Sequence, residues 1–315
     1  MKRRLAAPSL LICALLLCTR ARARAEEGEA LTGTLRTIAA RGTVLIGYRE
    51  SSPPFSFRNA AGQPIGFSVD LCHGIAEDIA ATLHRDLLEP DAPAWQTGVR
   101  ITYVPVGAEE RLPKLTSGAI DLECGSTTAN EERAKTIAFS PVFFLAGTKL
   151  MVPLVNGRPS AASYRALAGK VVAVSAGTTN AAVMQRLAHT LTPPITVKEA
   201  PNLDAAYEML SSGAAQGFAS DDILLAGFLA TKPDGKRFTL TGDYLSFEPY
   251  AIGFRRDDPA FAALVRDSFT RMASEGTLAH LYQRWLIDRL PNGERLNIPM
   301  SPQLAEMYRA LGQPD

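Results

Sequence analysis

The sequence predicts an α/β protein of two lobes, each formed by a mainly parallel sheet flanked by helices. Short β-rich runs alternate with helical patterns along the chain, and this alternation starts again after residues 153–160. The length of 315 residues is greater than one ordinary domain needs and suits two. Two lobes of similar architecture are therefore the expected organisation.

In the first half, strand and helix patterns follow one another at short spacing. Apolar residues at positions 71, 75, 79 and 83 repeat with the period of a helix. We expect strands at 42–47, 99–106 and 119–123, and helices at 67–83 and 111–117.

The second half repeats this pattern, with strands expected at 170–175, 195–199 and 215–219 and helices at 180–189 and 203–210. The segment from Leu115 to Asp121 is echoed by the segment from Leu210 to Gln216. Each would be a helix end, a glycine cap and a strand. The echo fits two lobes that share a topology.

The C-terminal part of the chain is predicted to be helical. Residues 258–286 are amphipathic, with an interruption near Gly276. Ser301 is an N-cap residue, and Pro302 follows it at the first helical position. We expect this last helix to pack on the first lobe.

The first 25 residues have the organisation of a secretion signal. Lys2, Arg3 and Arg4 precede an apolar core at 10–18, and Ala25 completes a small-x-small cleavage pattern. A membrane anchor is the alternative, but the apolar run is shorter than the roughly 20 residues that span a bilayer. We expect cleavage after Ala25 and a soluble, exported mature protein.

Cleavage changes the charge balance of the chain. Six of its 33 basic residues lie within positions 1–25, so the mature chain has 27 basic against 32 acidic residues and a net charge of −5. Such a chain lacks the basic footprint that duplex binding needs, and nucleic acid is excluded as a general partner. The histidines are scattered without the spacing of a metal site, so no metal and no cofactor is expected.

Two cysteines, Cys72 and Cys124, remain after the secretion signal is removed. In an oxidising compartment they could form a disulfide. Two buried free thiols are the alternative, because spacing alone does not show that the Cβ atoms meet. The sequence leaves both states open.

Polar side chains follow the predicted strands in both halves of the chain. In open α/β sheets, ligands bind beyond the carboxyl ends of the strands. Those ends carry an arginine, hydroxyl groups and two aspartates, at Tyr48 to Ser52, Gly125 to Thr128, Ser175 to Thr179 and Ser220 to Asp222. The pattern predicts one cleft shared by the two lobes.

These groups complement the two ends of an α-amino acid. A carboxylate needs donors such as a guanidinium and a helix start, which Arg133, Thr178 and Thr179 can supply. An ammonium needs acceptors, which Asp221 and Ser126 can supply. The sequence thus offers a partner for each charge.

A second carboxylate would need further cations, and Arg49 and Arg111 are available.

Several candidates also have a purely structural interpretation. Arg111 could be a solvated residue on a charged helix, while Asp221-Asp222 and 177–179 could simply cap helices. The aromatic turn at 51–57 could line the ligand pocket or belong to the core.

Five segments carry a family pattern: Gly47 to Ser52, Glu123 to Thr128 with Arg133, Gly177 to Thr179, Asp221 to Gly227, and Leu296-Asn297. In their order and spacing, nearly the whole mature chain resembles the periplasmic glutamate/aspartate-binding proteins of ATP-binding-cassette importers, in bacterial solute-binding protein family 3. The resemblance implies a two-lobed periplasmic-binding-protein-like fold with the ligand cleft between the lobes. Hinge crossings are expected near 146–148 and 250–252, with a first lobe at 26–147 plus 250–315 and a second at 148–249.

The resemblance also implies roles for the cleft residues. The α-carboxylate would be held by Arg133, Thr128 and the segment Thr178-Thr179, the α-ammonium by Asp221 and Ser126, and the side-chain carboxylate by Arg49 and Arg111. Two positions depart from the pattern. Family members often have a hydroxyl where this chain has Ala108 and a histidine where it has Leu203, and both would help to bind an acidic side chain.

The implied function is binding without catalysis: a periplasmic monomer closes on a small acidic amino acid and presents it to a membrane permease. A periplasmic enzyme on the same fold, such as a dehydratase of prephenate-like acids, is the alternative, and it needs a general acid or base beside the reacting bond. No nucleophile–base pair is evident in the cleft. A receptor's sensing module would need a transmembrane helix and a signalling domain, which the sequence does not show.

Overall fold

The computed structural model describes residues 31–314, so the predicted secretion signal at 1–25 lies outside the described residues. Within 31–314, no helix is both long enough and apolar enough to cross a membrane. Strands and helices alternate through most of this length, as the sequence predicts.

The strands in chain order are β1 (Thr43–Tyr48), β2 (Ser51–Ser52), β3 (Ser56–Arg58), β4 (Pro64–Ile65), β5 (Arg100–Pro105), β6 (Leu122–Glu123), β7 (Ile137–Phe139), β8 (Phe144–Ala146), β9 (Thr148–Val155), β10 (Arg158–Pro159), β11 (Val171–Ser175), β12 (Thr196–Ala200), β13 (Gly217–Asp221), β14 (Phe238–Thr241), β15 (Glu248–Tyr250) and β16 (Gly253–Arg255). The α-helices are α1 (Gly33–Arg41), α2 (Phe67–Thr82), α3 (Arg111–Thr116), α4 (Glu131–Ala134), α5 (Thr179–Ala188), α6 (Leu203–Ser211), α7 (Asp222–Thr231), α8 (Pro259–Ser274), α9 (Thr277–Tyr282) and α10 (Pro302–Ala310). Short 3₁₀ turns lie at Tyr164–Leu167 and Gly235–Arg237, and a π-helical turn at Gln283–Ile287.

The first sheet has the strand order β5-β1-β6-β16-β7. Strand β1 pairs in parallel with β5 and β6, as the alternation of strands and helices predicts. Strand β16 pairs antiparallel with β6 and β7. Because β16 returns from a distant part of the chain, no local sequence pattern indicates its place in the sheet.

The second sheet has the order β10-β9-β13-β11-β12, and β14 also pairs with β9. Strand β11 is parallel to β12 and β13, whereas β9 is antiparallel to its three partners. Both sheets are therefore mixed. The strands that precede the predicted site residues are the parallel ones, and the segments that cross between the sheets add antiparallel strands.

Two neighbouring connections join the sheets. The chain leaves the first sheet through β8 and Gly147, and it returns to the first sheet through β15. Strands β8 and β15 pair antiparallel, with Ala146 opposite Glu248 and Phe144 opposite Tyr250. The predicted crossings fall on these segments, while the residue boundaries of the two lobes remain a prediction.

The second sheet is buried on both faces, as expected for a sheet covered by helices. Leu150 and Val152 pack with Val172 on one face of the sheet. Met151 packs with Phe218 in the other hydrophobic cluster. Successive residues of β9 thus enter different cores, because side chains alternate across a strand.

The aromatic turn at 51–57 contributes to the core through Phe55, which is fully buried. Its ring centroid lies 4.9 Å from that of Phe144, 5.1 Å from that of Tyr250 and 6.0 Å from that of Phe67. Of the two interpretations left open by the sequence, the core interpretation is correct for this ring.

A disulfide joins Cys72 and Cys124, whose Cα atoms are 6.3 Å apart. Cys72 lies on α2, and Cys124 directly follows β6. The structure therefore decides between the two open states of these cysteines. The bond fixes α2 to the strand end that continues into Gly125 and Ser126.

The last helix, α10, packs on the first lobe as predicted. Ser301 caps it, with its hydroxyl oxygen accepting from the backbone N–H of Leu304 at 3.2 Å. Tyr308 is fully buried and donates its hydroxyl to the backbone oxygen of Phe143 at 2.8 Å. The preceding helical region is interrupted at Gly276, as predicted. Gly276 has a left-handed backbone conformation, with a φ of 75°, and lies between α8 and α9.

Candidate functional site

One cavity lies where the carboxyl ends of parallel strands from the two sheets face each other. It is lined by all eight residues predicted to bind a ligand: Arg49, Arg111, Ser126, Thr128, Arg133, Thr178, Thr179 and Asp221. Asn180, Leu203, Ser220 and Leu224 complete its wall. The structure brings the predicted residues together, and their binding of a ligand remains a prediction.

The cavity is narrow, at about 20 Å³, which is room for roughly one water molecule. Two glycines of the second lobe approach the first lobe closely. A Cβ atom on Gly177 would lie 2.6 Å from Cγ of Glu109, and one on Gly227 would lie 2.5 Å from the carbonyl oxygen of Pro53. In this arrangement the cavity is too small for an amino acid, and the two lobes are in close contact beside it.

Arg49 follows β1 and is buried, with 7% of its surface exposed. Its backbone N–H donates to Oγ of Ser56 at 2.9 Å. Within the described part of the chain, its guanidinium has no hydrogen-bond acceptor. Burial lowers the pKa of Arg49, and the nearby carboxylate of Glu123 partly opposes that shift.

Arg111 is buried, with 3% of its surface exposed, so the solvated-surface interpretation is wrong. Its Nε donates to Oγ1 of Thr127 at 2.7 Å, and another N–H donates to the backbone oxygen of Ala108. Burial, followed by the repulsion of Arg49, lowers the pKa of Arg111 to about 9. An anion in the cavity would relieve this repulsion.

Arg133 is half-buried on the short helix α4. Asn130 caps this helix, and its side-chain oxygen accepts from the backbone N–H of Arg133 at 2.9 Å. One guanidinium N–H of Arg133 donates to the backbone oxygen of Thr128 at 2.9 Å. Burial lowers the pKa of Arg133, while Glu123 and Glu248 oppose the shift. The remaining donors of the guanidinium are available to a ligand.

Asp221 ends β13 and is buried, with 3% of its surface exposed. Its carboxylate accepts from the side-chain amide of Asn180 at 2.7 Å and from the hydroxyl of Tyr250. Asp221 is the N-cap residue of α7, but its side chain makes no capping hydrogen bond there, so capping alone does not account for this carboxylate. Burial and the charge of Glu248 raise the pKa of Asp221 to about 7.

Thr178 caps α5: its Oγ1 accepts from the backbone N–H of Ala181 at 3.2 Å and donates to the backbone oxygen of Ser175 at 2.7 Å. The capping interpretation is therefore correct here, and it positions the start of α5 at the cavity. The first backbone N–H groups of a helix carry partial positive charge and favour anions.

Two carboxylates near the cavity escaped the sequence reasoning. Glu248, on β15, accepts hydrogen bonds from the hydroxyls of Thr128 and Thr179. Glu123 is fully buried, and both of its carboxylate oxygens lack a hydrogen-bond partner among the described residues. Its position at the end of β6 is a signal that could have found it, whereas Glu248 lies in a crossing segment where no strand was predicted.

In the described part of the chain, no group of three or more His, Cys, Asp or Glu side chains is placed to hold a metal ion. The cavity instead combines guanidinium donors, carboxylate and hydroxyl acceptors, and a helix start. This arrangement suits a small ligand with both negative and positive groups.

Comparison with known proteins agrees with this chemistry. Residues 44–288 match the family described as bacterial extracellular solute-binding proteins, family 3. The L-glutamate/L-aspartate-binding protein of Pseudomonas aeruginosa is 33% identical over 281 residues, covering 89% of this chain and 88% of that protein. The glutamate/aspartate import solute-binding protein of Escherichia coli K12 is 30% identical over 304 residues, covering 96% of this chain and 95% of that protein.

A solved structure is also similar. It is the ancestral amino acid-binding protein AncCDT-1, a precursor of cyclohexadienyl dehydratase, with a TM-score of 0.66 and 26% sequence identity. The similarity covers 80% of this chain and 99% of that structure. With the family match spanning most of the described residues, the chain belongs to the bacterial extracellular solute-binding proteins, family 3.

Proposed function

We propose that this chain is the periplasmic substrate-binding component of an amino-acid importer of the ATP-binding-cassette type, and that it binds glutamate or aspartate. The observation that carries the proposal is Arg49, a buried guanidinium that lines the cavity without an acceptor among the described residues. A buried cation without a hydrogen-bond acceptor is costly, and the nearby carboxylate of Glu123 only partly opposes the effect of burial on Arg49. A carboxylate of the ligand is the group that would pair with it.

The two ends of the amino acid would use different walls. The α-carboxylate would bind Arg133, the backbone N–H of Thr128 and the helix start at Thr178-Thr179, which offer a guanidinium and backbone donors. The α-ammonium would bind Asp221 and Ser126. Among the described residues that line this cavity, Asp221 is the one with a carboxylate side chain.

The side-chain carboxylate would bind Arg49 and Arg111. The departures at Ala108 and Leu203 matter here, because Leu203 is buried and adds an apolar side chain to the wall. Ala108 contributes its backbone oxygen to hold Arg111. Recognition of the acidic group would thus depend on two arginines, without a hydroxyl or an imidazole to assist them.

The curated relatives support this proposal, since their names give glutamate and aspartate as ligands. A monomer that closes its two lobes around the ligand would present a closed surface to a membrane permease. The predicted secretion signal fits a protein that works in the periplasm.

An enzyme on the same fold is the second candidate, favoured by the raised pKa of Asp221 and by the similarity to a dehydratase precursor. A carboxyl group with a pKa of about 7 can serve as a general acid. However, both oxygens of Asp221 are engaged by Asn180 and Tyr250. We propose binding without turnover, and assays of prephenate-like acids with the purified protein would reveal a reaction if one occurs.

The experiment that tests the proposed ligand is a thermal-shift screen of all amino acids. A ligand present at 100 times its Kd adds about 2.7 kcal/mol to the free energy of unfolding. We expect glutamate or aspartate to raise the melting temperature more than glutamine or asparagine. Stabilisation by a basic or aliphatic amino acid alone would refute the acidic assignment.

A variant of Arg49 sharpens this test. Arg49→Met keeps much of the unbranched apolar stem of the side chain but removes the charged guanidinium, so calorimetry should show a larger loss of affinity for glutamate than for glutamine. An equal loss for both ligands would mean that Arg49 supports the lobe and does not read the acidic group. Arg186→Met, an exposed arginine outside the cavity, is the matched control.

A further inference from the structure

Glu248 joins the two walls of the cavity through one carboxylate oxygen. It is buried, with 2% of its surface exposed, and it lies on β15 in the return connection between the sheets. Its Oε2 accepts from Oγ1 of Thr128 at 2.7 Å and from Oγ1 of Thr179 at 2.8 Å. Thr128 belongs to the first lobe and Thr179 to the second, and their hydroxyl oxygens are 3.5 Å apart.

These contacts fix the direction of the two hydroxyl groups. A carboxylate accepts hydrogen bonds and donates none, and a threonine hydroxyl has a single proton to donate. Each hydroxyl has therefore committed its proton to Glu248. Both threonines line the cavity, where their oxygens can offer only lone pairs to a ligand.

A second path of hydrogen bonds runs from Glu248 to Asp221. Oε1 of Glu248 accepts from Oγ of Ser246 at 2.5 Å, and Oγ of Ser246 lies 2.7 Å from Oγ1 of Thr148. The side-chain amide of Asn180 donates to Oγ1 of Thr148 and to Oδ1 of Asp221, both at 2.7 Å. Since Ser246 donates to Glu248, Thr148 must donate to Ser246.

Along this path the donors point away from Asn180 toward both ends, because a carboxylate at each end accepts. The hydroxyl and amide protons along it are all committed within the protein. The Asp221 carboxylate and the hydroxyl oxygens of Thr128 and Thr179 thus present acceptors to the cavity, which the guanidinium groups of Arg49 and Arg111 also line.

We propose that Glu248 is a positioning residue for the ligand's ammonium group: it turns the Thr128 and Thr179 hydroxyl oxygens into acceptors that extend the ammonium subsite beyond Asp221. This inference rests on the proposed function and refines it. The hydroxyl of Thr128 cannot donate to the α-carboxylate, which is left to Arg133 and to backbone N–H groups.

The test compares ligands with and without the ammonium group. L-glutamate and glutarate carry the same two carboxylates, but glutarate has no ammonium. Glu248→Gln keeps the size of the side chain but removes its charge and replaces one accepting oxygen with a donating amide group, so either the hydroxyl of Ser246 or the hydroxyls of Thr128 and Thr179 must reverse their direction. We expect affinity for glutamate to fall roughly 10- to 100-fold, as for loss of a hydrogen bond to a charged group, with a much smaller change for glutarate.

A double-mutant cycle gives a second readout that needs glutamate alone. Thr128→Val and Thr179→Val together remove the acceptors while keeping the shape of the side chains. In that background, Glu248→Gln should change the affinity for glutamate by less than about threefold, because its effect acts through the hydroxyls. Thr128→Ser and Thr179→Ser keep the hydroxyls and should restore discrimination between glutamate and glutarate.

A structural role for Glu248 would give different results. Equal losses for glutamate and glutarate, or the same loss in both backgrounds, would overturn the inference. Glu208→Gln, at an exposed position of the second lobe, is the matched control for a Glu-to-Gln substitution. Urea unfolding tests whether each variant is folded. If the wild type binds no amino acid, the proposed function fails at that step, before any variant is compared, and the inference fails with it.

Discussion

The two walls of the cavity differ in charge. Arg49, Arg111 and Arg133 all belong to the lobe of the first sheet, whereas Asp221 belongs to the lobe of the second. The arginine wall is crowded with like charge, which is one reason that the pKa of Arg111 falls to about 9. In the aspartate wall the shift has the opposite sign, because burial raises the pKa of Asp221 to about 7.

This difference in charge explains how one ligand could bind both lobes. Each wall is electrostatically incomplete by itself, because burial disfavours the charged form of every one of these side chains. A ligand with carboxylate and ammonium groups supplies the missing partner to both. Such a ligand would make more contacts with the walls together than with either wall alone, and this differential affinity would favour the closure that we propose.

The largest effect is expected on the arginine wall. Arg133→Ala leaves a ligand carboxylate without its guanidinium and should cost about 2–5 kcal/mol, roughly 30-fold or more in Kd for every amino-acid ligand. Isothermal titration calorimetry measures this loss, with Arg186→Ala as the exposed control. Near-normal affinity would remove Arg133 from the site.

The next largest effect is expected on the free energy of unfolding, and it arises in the first lobe alone. Only the first lobe has a disulfide within the described residues, Cys72–Cys124, which closes a loop of 52 residues. Loop-closure entropy predicts that Cys72→Ser with Cys124→Ser lowers the free energy of unfolding by about 4 kcal/mol. Urea unfolding measures that change. Two titratable thiols in the denatured, unreduced wild-type protein would contradict the bond itself.

The close contact between the two lobes can be disrupted by a substitution that leaves the arginines and Asp221 unchanged. Gly227→Ala places a Cβ atom 2.5 Å from the carbonyl oxygen of Pro53 across the cleft, while alanine favours the helix by up to about 1 kcal/mol. We expect an affinity loss of roughly tenfold with no loss of thermal stability.

Gly74→Ala is the matched control for this variant. Its Cβ atom would meet the flexible side chain of Met272 at 2.9 Å, within the first lobe. This control should change stability and leave affinity unchanged. If both variants behave alike, the contact between Gly227 and Pro53 does not limit closure.

At neutral pH the smallest effect is a pH dependence that belongs to the aspartate wall. An ammonium group needs Asp221 ionised, and its pKa in the ligand-free protein is about 7. Affinity should therefore fall by up to about tenfold for each pH unit below 7. Calorimetry from pH 5 to pH 8 tests this, and a flat profile would remove Asp221 as the acceptor.

The same group affects folding with the opposite trend. Its pKa is raised from an ordinary value of 3.8, so the folded protein binds more protons than the unfolded chain between that pH and about 7. The contribution of Asp221 to stability therefore decreases as pH rises through this window. Asp221→Asn should remove that slope from the pH dependence of unfolding in the ligand-free protein.

Sequence patterns were sufficient where structure depends on neighbouring residues. The strand that precedes Arg49 and the helix that begins at Thr179 follow from local alternation and capping, so the residues at their ends fall on the cavity. Strand β16 and strand β15 pair with partners far away in the chain, and their antiparallel positions have no local signal. Glu248 was missed for this reason.

Asn180 was missed for a different reason. It directly follows the predicted Thr179, but its importance lies in joining Asp221 to Thr148, two residues of other strands. Burial likewise excludes a surface position for Arg111. The charged residues around it in the sequence indicate a surface, and only the fold encloses it.

The antiparallel pairing of β8 with β15 has a consequence for modularity. The segment between them leaves and re-enters through adjacent strands, with Ala146 directly opposite Glu248. Insertions are tolerated best where the two ends of the added segment lie close together. The second sheet is thus carried as an inserted segment on two paired strands, and we expect a tight turn in place of residues 147–247 to preserve the pairing of β8 with β15.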